Sequence, residues 1–411
     1  MSDRKKPLAG VKVLEIGTLI AAPFAARLLA EFGAEVIKIE SPADAEGKGG
    51  DPLRSWRKLY PAQGGTSLWW RVQARNKKSL TLNLKHPEGL KIARQLADEA
   101  DILVENFRPG ALEKLGLGYE TLRQTNPSLI MVRISGYGQD GPYKDRPGFG
   151  AIGESMGGMR FITGYPDRPP VRVGVSLGDS LAAMHAVMGA LMALRHRDQT
   201  GGKNGGEGQV VDVALYESVF NMMESMVPEY AMYDLTRSRT GASLPGIVPS
   251  NTYVCGDGKH IVIGGNSDPI FKRLMQAIGR SDMANDPTLA TNDGRVPHTE
   301  RIDAAIADWC GQRNIDDALA VLQQADVPVS KIYSVADMLA DEHFQARQMF
   351  EQHALPDGAP ITLPAIVPKL SVTPGGTDWL GPELGAHSNE VLQALGYSDE
   401  EIARLKAAGT I

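Results

Sequence analysis

The 411-residue sequence predicts an α/β fold: a parallel, doubly wound sheet accompanied by a second, smaller α+β domain. Two observations carry that prediction. Over the first half of the chain, short β-branched runs alternate with amphipathic helical patterns, as βαβ units do. After about residue 222 the composition shifts, and short strands are followed by consecutive helices. A chain of this length also exceeds one ordinary core, so two domains are expected.

In order, Val11–Gly17 reads as a buried strand, Pro23–Phe32 as a helix and Glu35–Glu40 as a second strand. Leu80–Leu84 is a third strand, leading into a helix over Pro87–Ala100 whose proline suits a first turn. Asp101–Glu105 is again a buried strand, residues 119–126 a short amphipathic helix, and Leu129–Ser135 a further strand. A β-branched run from Val171 stops at Gly178-Asp179, and an Ala/Met/Leu helix runs from Ser180 to about Arg197. A glycine-rich turn, Thr200–Gln209, precedes the strand Val210–Leu215. Beyond the compositional shift, Asn251–Val254 and His260–Gly264 read as strands, and Pro269–Ile278, Thr299–Cys310 and Ile315–Ala325 as helices. From Val327 the chain reads as irregular strands, closing with helices Asn389–Leu395 and Ser398–Ala408. Ser398 and Glu401 form a capping box.

Charge balance argues against nucleic-acid or membrane partners: the net charge is −6 and the charges are dispersed. Arg75, Lys77, Lys78, Lys85, Arg108, Lys114 and Lys144, taken one by one, read as solvated surface charges. Cys255 and Cys310 have neither metal-ligand nor disulfide spacing, the eight histidines form no ligand set, and no metal site is expected. His185 reads as a satisfied core residue. The N-terminus is charged without an apolar stretch, and Leu181–Leu194 is too short to span a bilayer, so a soluble, cytoplasmic protein is expected. There is no G-x-S-x-G elbow and no P-loop, and the turn Gly17–Pro23 lacks the glycines of a dinucleotide fingerprint.

Asp179 lies at the junction of the β-branched run and the long helix. It can be read as a helix cap or as a carboxylate nucleophile held near a helix N-terminus. Asn106-Phe107-Arg108 directly follows a buried strand, and Lys85 follows another. Ligands of open α/β sheets collect at such carboxyl ends, and cations with an aromatic there suit a phosphate-bearing adenine nucleotide.

Several blocks, in this order, resemble the class III CoA-transferases over essentially the whole chain: PLAGVKVLEIG, FGAEVIKIE, RNKKSLTLNLK, ADILVENFRPG, SGYGQDGPYKDRPGFG, LGDS and LGYSDEEIARLKAAG. The resemblance implies a Rossmann-like large domain drawn from both termini and an inserted small domain, with two chains interlocked as a homodimer. The corresponding division is 1–222 for the first part of the CoA-binding domain, 223–328 for the small domain and 329–411 for the return to the large one. It further implies that Asp179 is the catalytic nucleophile. It implies coenzyme A and acyl-CoA as substrates, with no tightly bound cofactor. Matching positions place CoA contacts at Ile20, Ala21, Leu82, Lys85, Asn106, Phe107, Arg108 and Lys114.

The implied reaction passes CoA between carboxylic acids through an aspartyl-CoA thioester, with oxyanion stabilisation from backbone N–H groups at a helix start. Formyl-CoA transferases carry a glycine run where this chain has only Gly264 and Gly265. The block PDRPPVRVGVSLGDS instead resembles members that use succinyl-CoA and dicarboxylates. Arg75 and Arg172 are candidates to hold a distal carboxylate. Two alternatives follow: a 2-methylacyl-CoA racemase and a non-catalytic CoA-binding module. Racemases of this superfamily pair the aspartate with a histidine where this chain has Phe149, and a phenyl ring carries no proton.

Overall fold

A computed structural model describes residues 6–62 and 64–411; the reading of the charged N-terminus falls partly on residues 1–5, outside the described residues. The chain divides into two compact units. One comprises the chain through Met159, Val173–Glu224 and Gln348–Ile411; the other comprises Arg160–Arg172 and Ser225–Arg347.

The first unit is built on six parallel strands: β1 (Lys12–Glu15), β2 (Glu35–Glu40), β3 (Lys77–Thr81), β4 (Ile102–Glu105), β5 (Ile130–Ser135) and β6 (Val210–Ala214). Their order is β3-β2-β1-β4-β5-β6, the doubly wound arrangement whose ligands bind at the carboxyl ends of the strands. Strand side chains alternate between two cores. Val13, Val36, Val104 and Val132 face helices α1 (Ala21–Glu31) and α4 (Leu177–Thr200). Leu14, Leu103 and Met131 face α2 (Pro87–Glu99) and the terminal pair α9 (Ser388–Ala394) and α10 (Asp399–Ala407). Ser398 and Glu401 do form the capping box.

Helix α4 is 24 residues long and apolar enough, by composition, to cross a bilayer. It is longer than the Leu181–Leu194 stretch suggests because it starts at Leu177. Its small-residue face, Ala182, Ala183, Ala186, Ala190 and Ala193, is buried in the sheet's core. Alanines at this spacing let a helix lie close to the strands. At Gly189, any Cβ would fall 2.5 Å from Val211 Cγ1. The expected strand before it does not form: residues 171–175 are exposed and irregular.

Strand β3 begins at Lys77, three residues before the expected start, because Lys77, read as a surface charge, is buried. Lys77 Nζ lies 2.7 Å from Glu15 Oε2, and Lys38 Nζ lies 2.7 Å from Glu15 Oε1 and 2.9 Å from Asp51 Oδ2. Burial acts to lower the Lys38 pKa, but Glu15, Asp51 and Glu40 together raise it above its ordinary value. Lys77 is pulled down by burial to about 8. Removing one partner of a buried pair of this kind costs about 3–5 kcal/mol. Arg75 is likewise internal: Nε lies 2.6 Å from Glu31 Oε1 and Nη1 donates to Pro364 O at 2.9 Å. It is therefore a structural cation and not a ligand for a substrate's distal carboxylate.

The second unit carries an antiparallel sheet of β7 (Ser250–Val254), β8 (His260–Gly264) and β9 (Val329–Lys331). Against it pack α6 (Asp268–Ala277), α7 (Thr299–Gly311) and α8 (Ile315–Gln324), around a core that includes both cysteines. The region after Val327 also contains two short helices that its composition hides, Val335–Ala340 and Glu342–Ala346.

Candidate active site

At the carboxyl ends of β1, β2 and β4, and just beyond β3, lies a cavity of about 360 Å³, lined by Thr18, Asp51, Leu82, Lys85 and Phe107 among others. Its floor is the turn from β1 into α1, which is held from three directions. Asn106 Oδ1 accepts from Thr18 N at 2.8 Å while its Nδ2 donates to Thr18 O at 2.9 Å. The Asp51 carboxylate accepts from Leu19 N at 3.0 and 3.1 Å. Lys38 Nζ donates to Gly17 O at 2.8 Å. This clamp accounts for Leu19 at φ +65°, a conformation that non-glycine residues rarely adopt unless the surroundings enforce it. Gly17 is required there, since a Cβ would lie 2.4 Å from Ala22 Cβ.

Of the eight residues expected to contact CoA, Leu82, Lys85 and Phe107 line this cavity. Asn106 sets the turn. Ile20 and Ala21 are buried where α1 begins, so their side chains belong to the packing. Arg108 and Lys114 are exposed and lie outside the cavity's described lining. The Phe107 backbone is fixed by Glu105, whose Oε2 accepts from Phe107 N at 2.7 Å and whose Oε1 accepts from Arg133 Nε at 2.8 Å. Burial raises the Glu105 pKa, with Arg133 opposing it. Residues 38 and 51 escaped the sequence reading. Asp51 had a legible signal, because an Asp directly before Pro52 is an N-cap pattern, and it caps the short helix Pro52–Ser55.

The second feature is Asp179. It occupies the third position of α4, and the N-cap is Ser176, which makes no side-chain cap; Asp179 is therefore not the helix cap. As a crossover helix between parallel strands β5 and β6, α4 runs against the strand direction, which brings its first turn to the carboxyl end of the sheet. The positive end of the helix favours an ionised carboxylate there. Helix α3 (Gly150–Met156) supplies the seat. A Cβ on Gly150 would lie only 2.1 Å from Asp179 Oδ2 and 2.7 Å from its Cγ. The half-buried carboxylate thus rests on a bare glycine Cα. Phe149, directly before it, is 68 % exposed and offers no proton-transferring group. Gly150 had no local signal, because the contact joins two elements distant in sequence.

An accessible carboxylate at a helix start can act as an oxygen nucleophile. The cavity offers one exposed ammonium, an aromatic face and apolar walls, a combination suited to a nucleotide with phosphate groups.

Comparison with known proteins identifies the family. The model of CoA-transferase family III matches residues 8–388. Succinyl-CoA–D-citramalate CoA-transferase of Chloroflexus aurantiacus is 49% identical over 408 residues, covering 99% of this chain and 98% of that protein. The beta subunit of succinyl-CoA–L-malate CoA-transferase from the same organism is 41% identical over 409 residues, covering 98% of each. A CAIB/BAIF family protein from Brucella suis has a solved structure that superimposes with a TM-score of 0.81 at 32% identity, covering 95% of this chain and 100% of that one. The chain belongs to CoA-transferase family III and is a class III CoA-transferase.

Proposed function

We propose that this enzyme moves CoA from succinyl-CoA to a second dicarboxylic acid through covalent intermediates on Asp179. The observation that carries the reading is the Asp179 carboxylate seated on Gly150 in the first turn of α4. The relatives acting on citramalate and malate support the dicarboxylate class.

In this mechanism an Asp179 carboxylate oxygen attacks the succinyl thioester carbon, and the CoA thiolate leaves, giving a succinyl-aspartyl anhydride. The thiolate then attacks Asp179 Cγ, and succinate departs with the bridging oxygen. The acceptor carboxylate attacks the resulting aspartyl thioester and expels the thiolate again. Finally the thiolate attacks the acceptor's acyl carbon, releasing the new acyl-CoA and restoring the Asp179 carboxylate. One thioester replaces another, so the exchange is close to thermoneutral and is driven by concentration. The nucleophile must be ionised when it attacks, which the end of α4 favours.

The cavity over β1–β4 would hold the nucleotide end of CoA, with Lys85 on a phosphate and Phe107 beside the base. Lys85→Ala is then expected to raise KM for the CoA thioester about tenfold while kcat changes little, since one charge-assisted contact of about 1.4 kcal/mol is lost. Steady-state kinetics at fixed acceptor read this directly; an unchanged KM would remove Lys85 from the contact set.

A second copy of this chain is the proposed partner. Met184, Met188, Leu191 and Met192 leave one side of α4 apolar and exposed, a face that a soluble enzyme normally covers. Sedimentation at the monomer mass would count against it. The substrate assignment is tested by offering succinyl-CoA with citramalate, malate, glutarate and mesaconate and following acyl-CoA esters by mass spectrometry. A new ester with at least one acid is expected; none with any of them would overturn the assignment.

A further inference from the structure

Helix α3 carries a second residue aimed at the same turn. Glu154, one turn after Gly150, is only 2 % exposed, and its Oε1 accepts from Gly178 N at 3.3 Å. Gly178 immediately precedes Asp179 and is the second residue of α4, so its N–H is among those that no intrahelical carbonyl satisfies. Ser176, the N-cap residue, makes no side-chain cap. A glutamate from another helix therefore does what a capping side chain would ordinarily do.

The approach is close enough to require glycine on the receiving side. A Cβ on Gly178 would lie 2.9 Å from Gly150 O and 3.3 Å from Glu154 Cγ. Glu154 itself stands on a fixed base. Two further glycines press α3 onto α5 (Leu215–Phe220): a Cβ at Gly153 would be 2.9 Å from Leu215 Cβ, and one at Gly157 would be 2.6 Å from Val219 Cβ. A continuous set of contacts thus runs from α5 through α3 and Glu154 to the peptide before Asp179.

We propose that Glu154 is a positioning residue for Asp179, acting through the reach of its acceptor oxygen to Gly178 N and not through its charge. It rests on Asp179 being the nucleophile. Glu154 touches neither substrate nor the reacting atoms in this account. It holds the first turn of α4 so that the Asp179 carboxylate stays on Gly150 and meets the face of the thioester carbonyl. Loss of that hold changes the geometry of attack while leaving the nucleotide cavity as it is, so kcat falls and KM for the CoA thioester does not.

Three variants separate reach from charge. Glu154→Gln keeps the acceptor oxygen at the same length without the charge; Glu154→Asp keeps the charge but falls one carbon short; Glu154→Ala removes both. The expected order is a kcat lowered about 10- to 100-fold in Glu154→Ala and Glu154→Asp, with Glu154→Gln recovering to within about 3-fold of the parent enzyme, as misplacement of a reacting group predicts. KM for succinyl-CoA stays within about 3-fold throughout. A merely structural role would lower melting temperature without changing the kcat of the folded protein. Should Glu154→Ala not fold, the Gln and Asp variants alone decide the matter. The proposal is overturned if Glu154→Asp matches or exceeds Glu154→Gln, or if neither Glu154→Asp nor Glu154→Ala loses kcat. Failure of the underlying mechanism is visible separately, as absence of acyl chemistry at Asp179 in the unmodified enzyme.

Discussion

Asp179→Ala is expected to lower CoA transfer by about 10⁴-fold or more, the scale on which removal of a covalent nucleophile is felt. The protein should remain folded. Asp179 is only half-buried at the start of α4, and the buried face of that helix is made of alanines further along. An alanine at this position also suits a helix interior. Affinity for CoA should survive, because the cavity over β1–β4 is lined by other residues. Calorimetric binding of CoA alongside a transfer assay separates the two effects. Retained transfer would remove Asp179 from the reaction and place the nucleophile on another residue.

Gly150→Ala is the more discriminating change, because it leaves every functional group in place. The added methyl would sit 2.1 Å from Asp179 Oδ2, so something has to yield. The cheapest adjustment is rotation of the carboxylate, since the end of a side chain moves more readily than two helix backbones. Gly150 is the first residue of α3 and does not have a positive φ, so alanine introduces no backbone strain. A loss in kcat of about 10²-fold is expected, the penalty of displacing a reacting group by about an ångström. Melting temperature should shift by only a few degrees. A Gly150→Ala enzyme with parent kcat would mean that the observed seat is not the reactive position of the carboxylate. A large fall in melting temperature would mean that α3 or α4 moved instead.

How much of this was legible in the chain depends on whether each feature is local. Strand β2 at Glu35–Glu40 and strand β8 at His260–Gly264 match their expected bounds, because alternation and flanking turn residues sufficed. Helix α2 starts at Pro87 as expected, for the same reason. Strand β3 was displaced because Lys77 looks like a solvent residue until Glu15 is known to lie beside it. The run after Val171 has strand composition, but composition cannot supply a pairing neighbour. The short helices after residue 334 rest on caps such as Ser334 and Asp341 more than on apolar periodicity.

At the site the same division holds. Lys85 and Phe107 were marked by their places after apolar runs, which is where open sheets gather ligands, whereas Leu82 came from the family resemblance alone. The role of Asn106 in holding Thr18 was hidden, since it joins the ends of two strands. Asp179 stood out by its junction and by family resemblance, whereas Gly150 and Glu154 look like ordinary residues of a short helix. Their significance lies in contacts with Asp179 and Gly178, and contacts of that range leave no mark on local pattern. Arg75, offered as a candidate for the distal carboxylate, is misleading for the reason Lys77 is: its partner Glu31 lies on α1.

The central claim is a covalent bond to Asp179, and hydroxylamine trapping tests it most directly. The enzyme is mixed with succinyl-CoA, quenched with hydroxylamine during turnover, digested and mapped by mass spectrometry. An aspartyl thioester or anhydride is cleaved by hydroxylamine, and the account predicts a hydroxamate on Asp179, dependent on the CoA substrate and absent from Asp179→Ala. An unmodified Asp179 peptide under turnover, or a hydroxamate on another carboxylate, would contradict it.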